Sequence, residues 1–338
     1  MGKTIIEIKG LKTSFFTDDG EIPAVDHIDF YINEGEIVGI VGESGCGKSV
    51  TSLSIMGLVP TPPGKIVGGE IRFNDENLVN LSETRMRRIR GNEIAMIFQE
   101  PMTSLNPLFT IGAQMIEGIR IHNKWDKKKA RVRAVEIMKK VGLPRAEELL
   151  DNYPHQLSGG MRQRVMIAMA MACNPKVLIA DEPTTALDVT IQSQILKLMK
   201  KLNEEMNTAI MLITHDLGVV AQICERVIVM YAGKIVEEGE VQRIFKNPKH
   251  PYTEGLIKSV PDIRKKNERL YSIPGNVPRP GSIKKGCRFA ERCEHAFDRC
   301  FADDPNLYQV DGSGHKVRCF LHVGEGEVER DRAFTSSE

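Results

Sequence analysis

Three places along this chain carry side chains whose types and spacing could do chemistry. Residues 42–49, GESGCGKS, fit the pattern G-x-x-x-x-G-K-[ST] in full. Glycines there let backbone N–H groups approach an anion without a Cβ in the way. Gly42, Glu43, Ser44, Gly45, Cys46, Gly47 and Val50 are expected to wrap the phosphates of a nucleotide. Lys48 is expected to reach the β and γ phosphates, and Ser49 to ligate Mg²⁺. Cys46 fills a free position of the pattern, so its thiol is incidental to it. The second place is VLIADEP, 177–183. Asp181 ends an apolar run, which puts its carboxylate at the carboxyl end of a strand, where it would hold Mg²⁺ through water. Glu182 follows directly and can orient, or take a proton from, an attacking water. The third place is the tail, where four of the chain's seven cysteines, Cys287, Cys293, Cys300 and Cys319, are spaced C-x5-C-x6-C-x18-C.

Regular elements must position these groups. GEIVGIVG (35–42) is a compact apolar run that suits a buried central strand, and GKSVTSLSIMGLV after it has helical spacing. The phosphate loop is therefore expected between a strand and a helix, the context the motif requires. VLIADEP and AIMLITHD (209–216) read as further strands, with a helix over TIQSQILKLMKKLNEEM between them. Strand, helix and strand in this order imply a mostly parallel α/β sheet. Residues 1–35 read as short strands and turns, and 110–176 as mostly helical. After about residue 245 proline and turn residues dominate, which places a boundary near 255–260.

The 338 residues suffice for a sizeable core without staples. A formal net charge of +1 argues against a field that steers the whole molecule to nucleic acid. Aromatic residues, 6% of the chain, are too few for a base-stacking platform. The arginines at 85–90 and the basic residues at 124–133 read as solvated helix faces. No stretch approaches the ~20 apolar residues that span a bilayer. VMIAMAMAC (165–173) reads as a buried helix. The charged N-terminus lacks the apolar run of a signal peptide, so the cytoplasm is the expected compartment.

Up to this point the residues specify a P-loop NTPase without choosing its kind. LSGGMRQR (157–164) resembles the signature motif of ABC ATPases. That resemblance implies an ABC-type α/β fold with a mixed sheet core and a helical subdomain at about 100–172, to which the peptide-importer branch identified below adds a small metal-binding C-terminal extension. It divides the chain into an ATPase domain, 1–258, and the extension, 259–338. It implies that Ser158, Gly159 and Gly160, at a helix start, close over ATP held by a second subunit. Asp188 in TTALD matches the D-loop, a further contact across that dimer. Gln99 in IFQEP matches the Q-loop glutamine, which senses Mg²⁺ and faces the membrane partner. His215 in LITHD matches the switch histidine on the γ-phosphate. Lys48, Glu182 and His215 are then the catalytic residues, and Ser49, Gln99 and Asp181 the Mg²⁺ site. Phe15 or Phe16 matches the aromatic on adenine, with Phe16 preferred.

IFQEPMTSLNP, NYPHQLSGGMRQR, HPYTEGL and IPGNVPRPGSIKKGCRFAERC narrow the resemblance to the oligopeptide/dipeptide importer ATPases, a branch that also serves nickel and other small solutes. The resemblance implies a subunit on the cytoplasmic face of the membrane. Its implied partners are a paralogous ATPase in a head-to-tail dimer, two membrane permease subunits, indirectly a solute-binding protein, and no nucleic acid. An ABC ATPase of DNA repair is the rival from another class. Such proteins carry long coiled-coil inserts, paired ATPase units or basic DNA surfaces, none of which is seen here.

Three readings compete for the cysteines. Disulfides need an oxidising compartment. Zinc usually takes tighter pairs, though His295, His315 and His322 lie near enough in sequence to join. An iron–sulfur cluster needs four thiolates, and these spacings match no standard ferredoxin run. The resemblance favours a [4Fe–4S] cluster on Cys287, Cys293, Cys300 and Cys319, with Zn²⁺ as the alternative. Cys173 and Cys224, like Cys46, read as packing residues.

Overall fold

The fold is seen in a computed structural model that describes residues 2–99, 105–185, 187–260, 271–310, 312 and 314–323. Residues 100–104 of IFQEPMTSLNP, and 261–270 and 324–338 of the expected extension, lie outside these.

The chain opens with β1 (Thr4–Thr17) and β2 (Gly20–Asn33), then β3 (Ile37–Val41) and α1 (Lys48–Met56). Next come β4 (Gly64–Phe73), β5 (Glu76–Asn77), α2 (Glu83–Ile89) and β6 (Ile94–Ile97). Four helices follow: α3 (Ile111–Asn123), α4 (Lys127–Lys140), α5 (Ala146–Leu149) and α6 (Gly159–Met171). The α/β rhythm resumes with β7 (Val177–Asp181), α7 (Val189–Met206), β8 (Ala209–Thr214), α8 (Leu217–Ile223) and β9 (Arg226–Tyr231). It closes through β10 (Lys234–Glu240), α9 (Val241–Lys246) and α10 (Pro251–Lys258). The tail adds α11 (Asp298–Ala302), β11 (Tyr308–Gln309) and β12 (Lys316–Val317).

The eight-stranded sheet runs β11-β12-β10-β9-β3-β8-β7-β6, and its centre from β9 to β6 is parallel. Every residue of β3, β7, β8 and β9 is buried. That is why these strands read as continuous apolar runs and not as alternations: both faces of the parallel part of the sheet are covered. A second, antiparallel sheet, β2-β1-β4-β5, packs its inner face, including Ile6, Ile8, Ile28 and Ile71, against Val38 and Ile40 of β3. The helical segment α3–α6 shares one core through Ile111, Met115, Ala134, Ile137 and Val165. The basic stretches are ordinary surface. Arg85 pairs with Glu76 and Glu93, Arg87 and Arg90 with Glu83, and Arg131 with Asp151. Among the described residues no helix is long and apolar enough to cross a membrane.

The tail rejoins the main sheet. β12 pairs with β10, setting Val317 beside Glu237 and Lys316 beside Glu238. KIVEEGE looks like a solvated charged strand, yet Glu237 is wholly buried. Its carboxylate accepts the N–H of Lys249 (2.7 Å) and of His250 (2.9 Å) and meets His315 Nε2 at 2.7 Å. One acid thereby holds the strand, the start of α10 and the tail together.

Candidate functional site

Parallel register carries the sequence-marked residues to one edge. In β3, β8, β7 and β6, Val41 pairs with Thr214, Asp181 with Ile213, and Ile97 with Ala180. The residues just past these pairs are Gly42, His215, Glu182 and, one further on, Gln99. They lie at the carboxyl ends of adjacent strands, where open α/β sheets place their ligands.

The loop between β3 and α1 is shaped by its glycines. Gly47 has φ of 103°, and a Cβ there would meet Ala24 O at 2.5 Å. A Cβ on Gly42 would meet Met230 O at 2.2 Å. Lys48 is buried, and its Nζ donates to the carbonyls of Gly42 (2.7 Å) and Glu43 (3.1 Å) across the loop. Ser44 and Gly45 are exposed and Ser49 is half-buried. Burial pushes the Cys46 thiol above its usual range, so it stays protonated.

Glu182 is the hub of the site. His215 Nδ1 lies 3.2 Å from its Oε1, and Thr185 Oγ1 (2.9 Å) and Gln99 Nε2 (3.2 Å) donate to its Oε2. Burial would raise its pKa, but the hydrogen bonds of His215 and Thr185 outweigh burial and hold it below the usual range. Glu182 also has φ of 48°, in the left-handed region that costs a non-glycine residue energy. Such strain persists where the surroundings over-determine it, and here the Glu182 N–H is tied to Ile213 O at 2.9 Å.

Asp181 is oppositely tuned. Burial raises its pKa, although the nearby Ser49 hydroxyl pulls the other way. Its Oδ1 is buried with no hydrogen-bond partner among the described residues. A buried, orphaned carboxylate oxygen beside a hydroxyl is a fit for a hard divalent cation.

Ser158 caps α6, its Oγ accepting the Met161 N–H at 3.4 Å, and Ser158 and Gly159 are exposed. A Cβ on Gly160 would meet Ile191 Cγ2 at 3.2 Å, so the signature helix abuts the start of α7. Asp188 caps α7 through the Ile191 N–H (2.9 Å). Phe16 is 47% exposed at the end of β1, whereas Phe15 is half-buried beside Gly64.

Sequence reasoning missed Thr185 and Gln163. Gln163 of α6 donates to Pro183 O, tying the signature helix to the Glu182 turn. A contact between residues 20 apart in sequence leaves no local spacing signal. TTALD did place a hydroxyl three residues after Glu182, the one clue to Thr185.

The four tail cysteines line a single cavity together with His250, Phe289, His295 and Phe320. None is in a disulfide. Burial pushes Cys287 up to about 12 and Cys319 up to about 11. Among the described residues no group of three or more His, Cys, Asp or Glu side chains is disposed to hold a single metal ion. Two histidines offered to the zinc alternative are used elsewhere: His315 by Glu237, and His322, whose Nε2 lies 2.8 Å from Lys249 O. A metal-binding extension is thus not established by the side-chain geometry.

Residues 25–185 match the family described as ABC transporter, and residues 236–300 match the oligopeptide/dipeptide transporter C-terminal region. The chain is 56% identical to the oligopeptide transport ATP-binding protein AppD of Bacillus subtilis (strain 168), over 96% of this chain and 98% of that relative. It is 48% identical to the dipeptide transport ATP-binding protein DppD of Escherichia coli (strain K12), over 93% of this chain and 96% of that relative. Among solved structures it resembles a dimeric, post-hydrolysis state of the ATP-binding cassette MJ0796 bound to ADP and Pi, with a TM-score of 0.63 and 32% identity. That match covers 70% of this chain and 99% of the other.

Proposed function

The chain belongs to the ABC transporter ATP-binding family, in the branch with the oligopeptide/dipeptide transporter C-terminal region, and from that premise we propose that it hydrolyses ATP to drive peptide import. The observation that carries this reading is the single edge where Lys48, Asp181, Glu182, Gln99 and His215 meet.

In this reading the loop N–H groups, Lys48 and the start of α1 bind the ATP phosphates. Ser49, Gln99 and Asp181 would hold Mg²⁺, which when bound neutralises charge on the β and γ phosphates. Glu182, kept ionised by His215 and Thr185, orients the water and takes its proton. His215 releases Glu182 to face the γ-phosphate. Ser158, Gly159, Gly160 and Asp188 complete the site of a second subunit in a head-to-tail dimer; exposed Ser158 and Gly159 are free to do so. Phe16 stacks on adenine. Phe16→Ala is expected to weaken ATP binding about three- to tenfold, in line with ~0.5–1.5 kcal/mol for an aromatic contact. Phe15→Ala should leave affinity within twofold. Equilibrium binding of ATP to both variants checks this.

The membrane partners engage the groove of about 820 Å³ between α3 and α4, walled by Phe109, Ile116, Ile121 and Trp125. Phe109 and Ile121 are exposed apolar residues there, which suit a docking helix. Two permease subunits, a paralogous ATPase and a solute-binding protein complete the transporter, with this chain peripheral on the cytoplasmic face. Dipeptides and oligopeptides are its cargo.

The tail cavity is read as the seat of a [4Fe–4S] cluster on Cys287, Cys293, Cys300 and Cys319. Its support is that all four thiols line one cavity. A single zinc ion is less well served, because among the described residues no three side chains are disposed around one point, and His315 and His322 are occupied. Anaerobic purification followed by iron, sulfide and zinc analysis tests this. About four irons per chain with a broad visible absorption are expected. Zinc without iron would overturn the cluster.

A further inference from the structure

Two segments run from the cysteine cavity to the phosphate loop, and both end on Glu43. Cys287 and Cys293 line the cavity. Between them, Phe289 also lines the cavity, whereas Arg292 reaches the phosphate loop. The Arg292 guanidinium grips the Glu43 carboxylate with both ends of its fork, Nη1 to Oε2 at 2.8 Å and Nη2 to Oε1 at 3.2 Å. Its other donors are also engaged: Nε with Pro274 O at 2.8 Å and Nη1 with the Tyr231 hydroxyl at 3.2 Å. The second segment is His250-Pro251-Tyr252. His250 lines the cavity, and two residues on the Tyr252 hydroxyl accepts the Glu43 N–H at 2.9 Å. Phe289 locks the two segments together, its ring 5.4 Å from that of Tyr252 and 5.2 Å from that of Tyr231. Arg292 and Tyr252 are both buried.

Glu43 is the second residue of the phosphate loop. An unpaired carboxylate there would repel the ATP phosphates. A bidentate arginine both neutralises it and fixes its orientation. The Tyr252 hydroxyl fixes the peptide that leads into the turn. Neither residue belongs to the motif that marks the loop.

We propose that Arg292 and Tyr252 are positioning residues for the phosphate loop, through which the state of the four-cysteine cavity sets ATP affinity. The part concerning a loaded cavity rests on the cluster reading above; the Arg292–Glu43 link does not. A displacement of the Cys287–Cys293 segment would shift Arg292 and leave the Glu43 charge facing the phosphates.

The test is equilibrium MgATP binding to the full chain, prepared anaerobically, as wild type, Arg292→Ala, Arg292→Lys, Glu43→Gln, Arg292→Ala/Glu43→Gln, and Cys293→Ser with and without Glu43→Gln. Arg292→Ala should weaken binding about five- to tenfold, and Arg292→Lys less, because the charge survives without the fork. Glu43→Gln alone gives the reference affinity for the variants that combine it with a second change. Combined with Arg292→Ala it should restore most of the lost affinity, which a merely structural role for Arg292 would not produce. Cys293→Ser should weaken binding at least threefold, and Glu43→Gln should suppress that effect too. The proposal is overturned by Arg292→Ala binding ATP as wild type does, by a double variant no better than Arg292→Ala, or by Cys293→Ser leaving affinity unchanged. Iron and zinc analysis of the same wild-type sample reports separately on the cluster reading. A metal-free chain that still shows the Glu43→Gln rescue would sink that reading alone.

Discussion

Glu182→Gln is expected to lower ATP turnover at least a hundredfold while ATP still binds with near-normal affinity. A positioned general base contributes about 10²–10⁴ in rate. Glutamine is nearly isosteric, so the Thr185 hydroxyl still has a carbonyl oxygen to donate to, and the turn at φ 48° keeps its shape. The change removes one negative charge and the proton acceptor. Loss of that charge also eases repulsion with ATP, so binding should not fall. Single-turnover hydrolysis measured beside equilibrium ATP binding separates the two effects. Turnover within about threefold of wild type would remove Glu182 from the chemistry.

Glu237→Ala should cost about 3–5 kcal/mol of stability, the scale for breaking a buried charged network by deleting one partner. The variant leaves the N–H groups of Lys249 and His250 without their acceptor and His315 without its partner, with His250 and His315 in the interior. Glu237→Gln, which keeps an acceptor oxygen, should lose less. Urea unfolding of the three proteins gives the numbers, and limited proteolysis should show the tail of Glu237→Ala released first. The same acid predicts a pH dependence. Burial would raise its pKa, but bonding to His315 and to the two N–H groups prevails and depresses it. A depressed acid stabilises the fold above its unfolded value of about 4.3. That contribution falls away as pH drops through the lower folded value. Glu237→Gln should therefore flatten the acid limb of the stability curve. A variant as stable as wild type would mean that the tail is held by other contacts.

The parts of the site that were legible in sequence are those encoded locally. GESGCGKS carries its glycines, lysine and serine within eight residues, and the apolar runs at 35–42, 177–183 and 209–216 announce buried strands because both faces of a parallel sheet are covered. LSGGMRQR marked a helix start, and Ser158 caps it. What escaped depends on contacts between distant residues. Arg292 and Glu43 are 249 positions apart, and nothing near either one signals the other. Glu237 sits in a segment polar enough to suggest solvent; β12 lying beside it and the Lys249–His250 segment above it explain its burial. The strained backbone at Glu182 has no sequence signature, since glutamate does not favour that conformation. The histidines near the cysteines misled for a related reason: proximity in sequence put His315 and His322 beside the thiols, but strand pairing and the α10 connection gave them other partners.

The most direct test of the central claim is uptake of a labelled peptide into vesicles that contain the complete transporter, with this chain supplied as wild type or as Glu182→Gln. The account predicts ATP-dependent accumulation of peptide with wild type and at least a tenfold lower rate with Glu182→Gln. Equal accumulation by the two proteins, or ATP hydrolysis stimulated by DNA and indifferent to the membrane subunits, would contradict it.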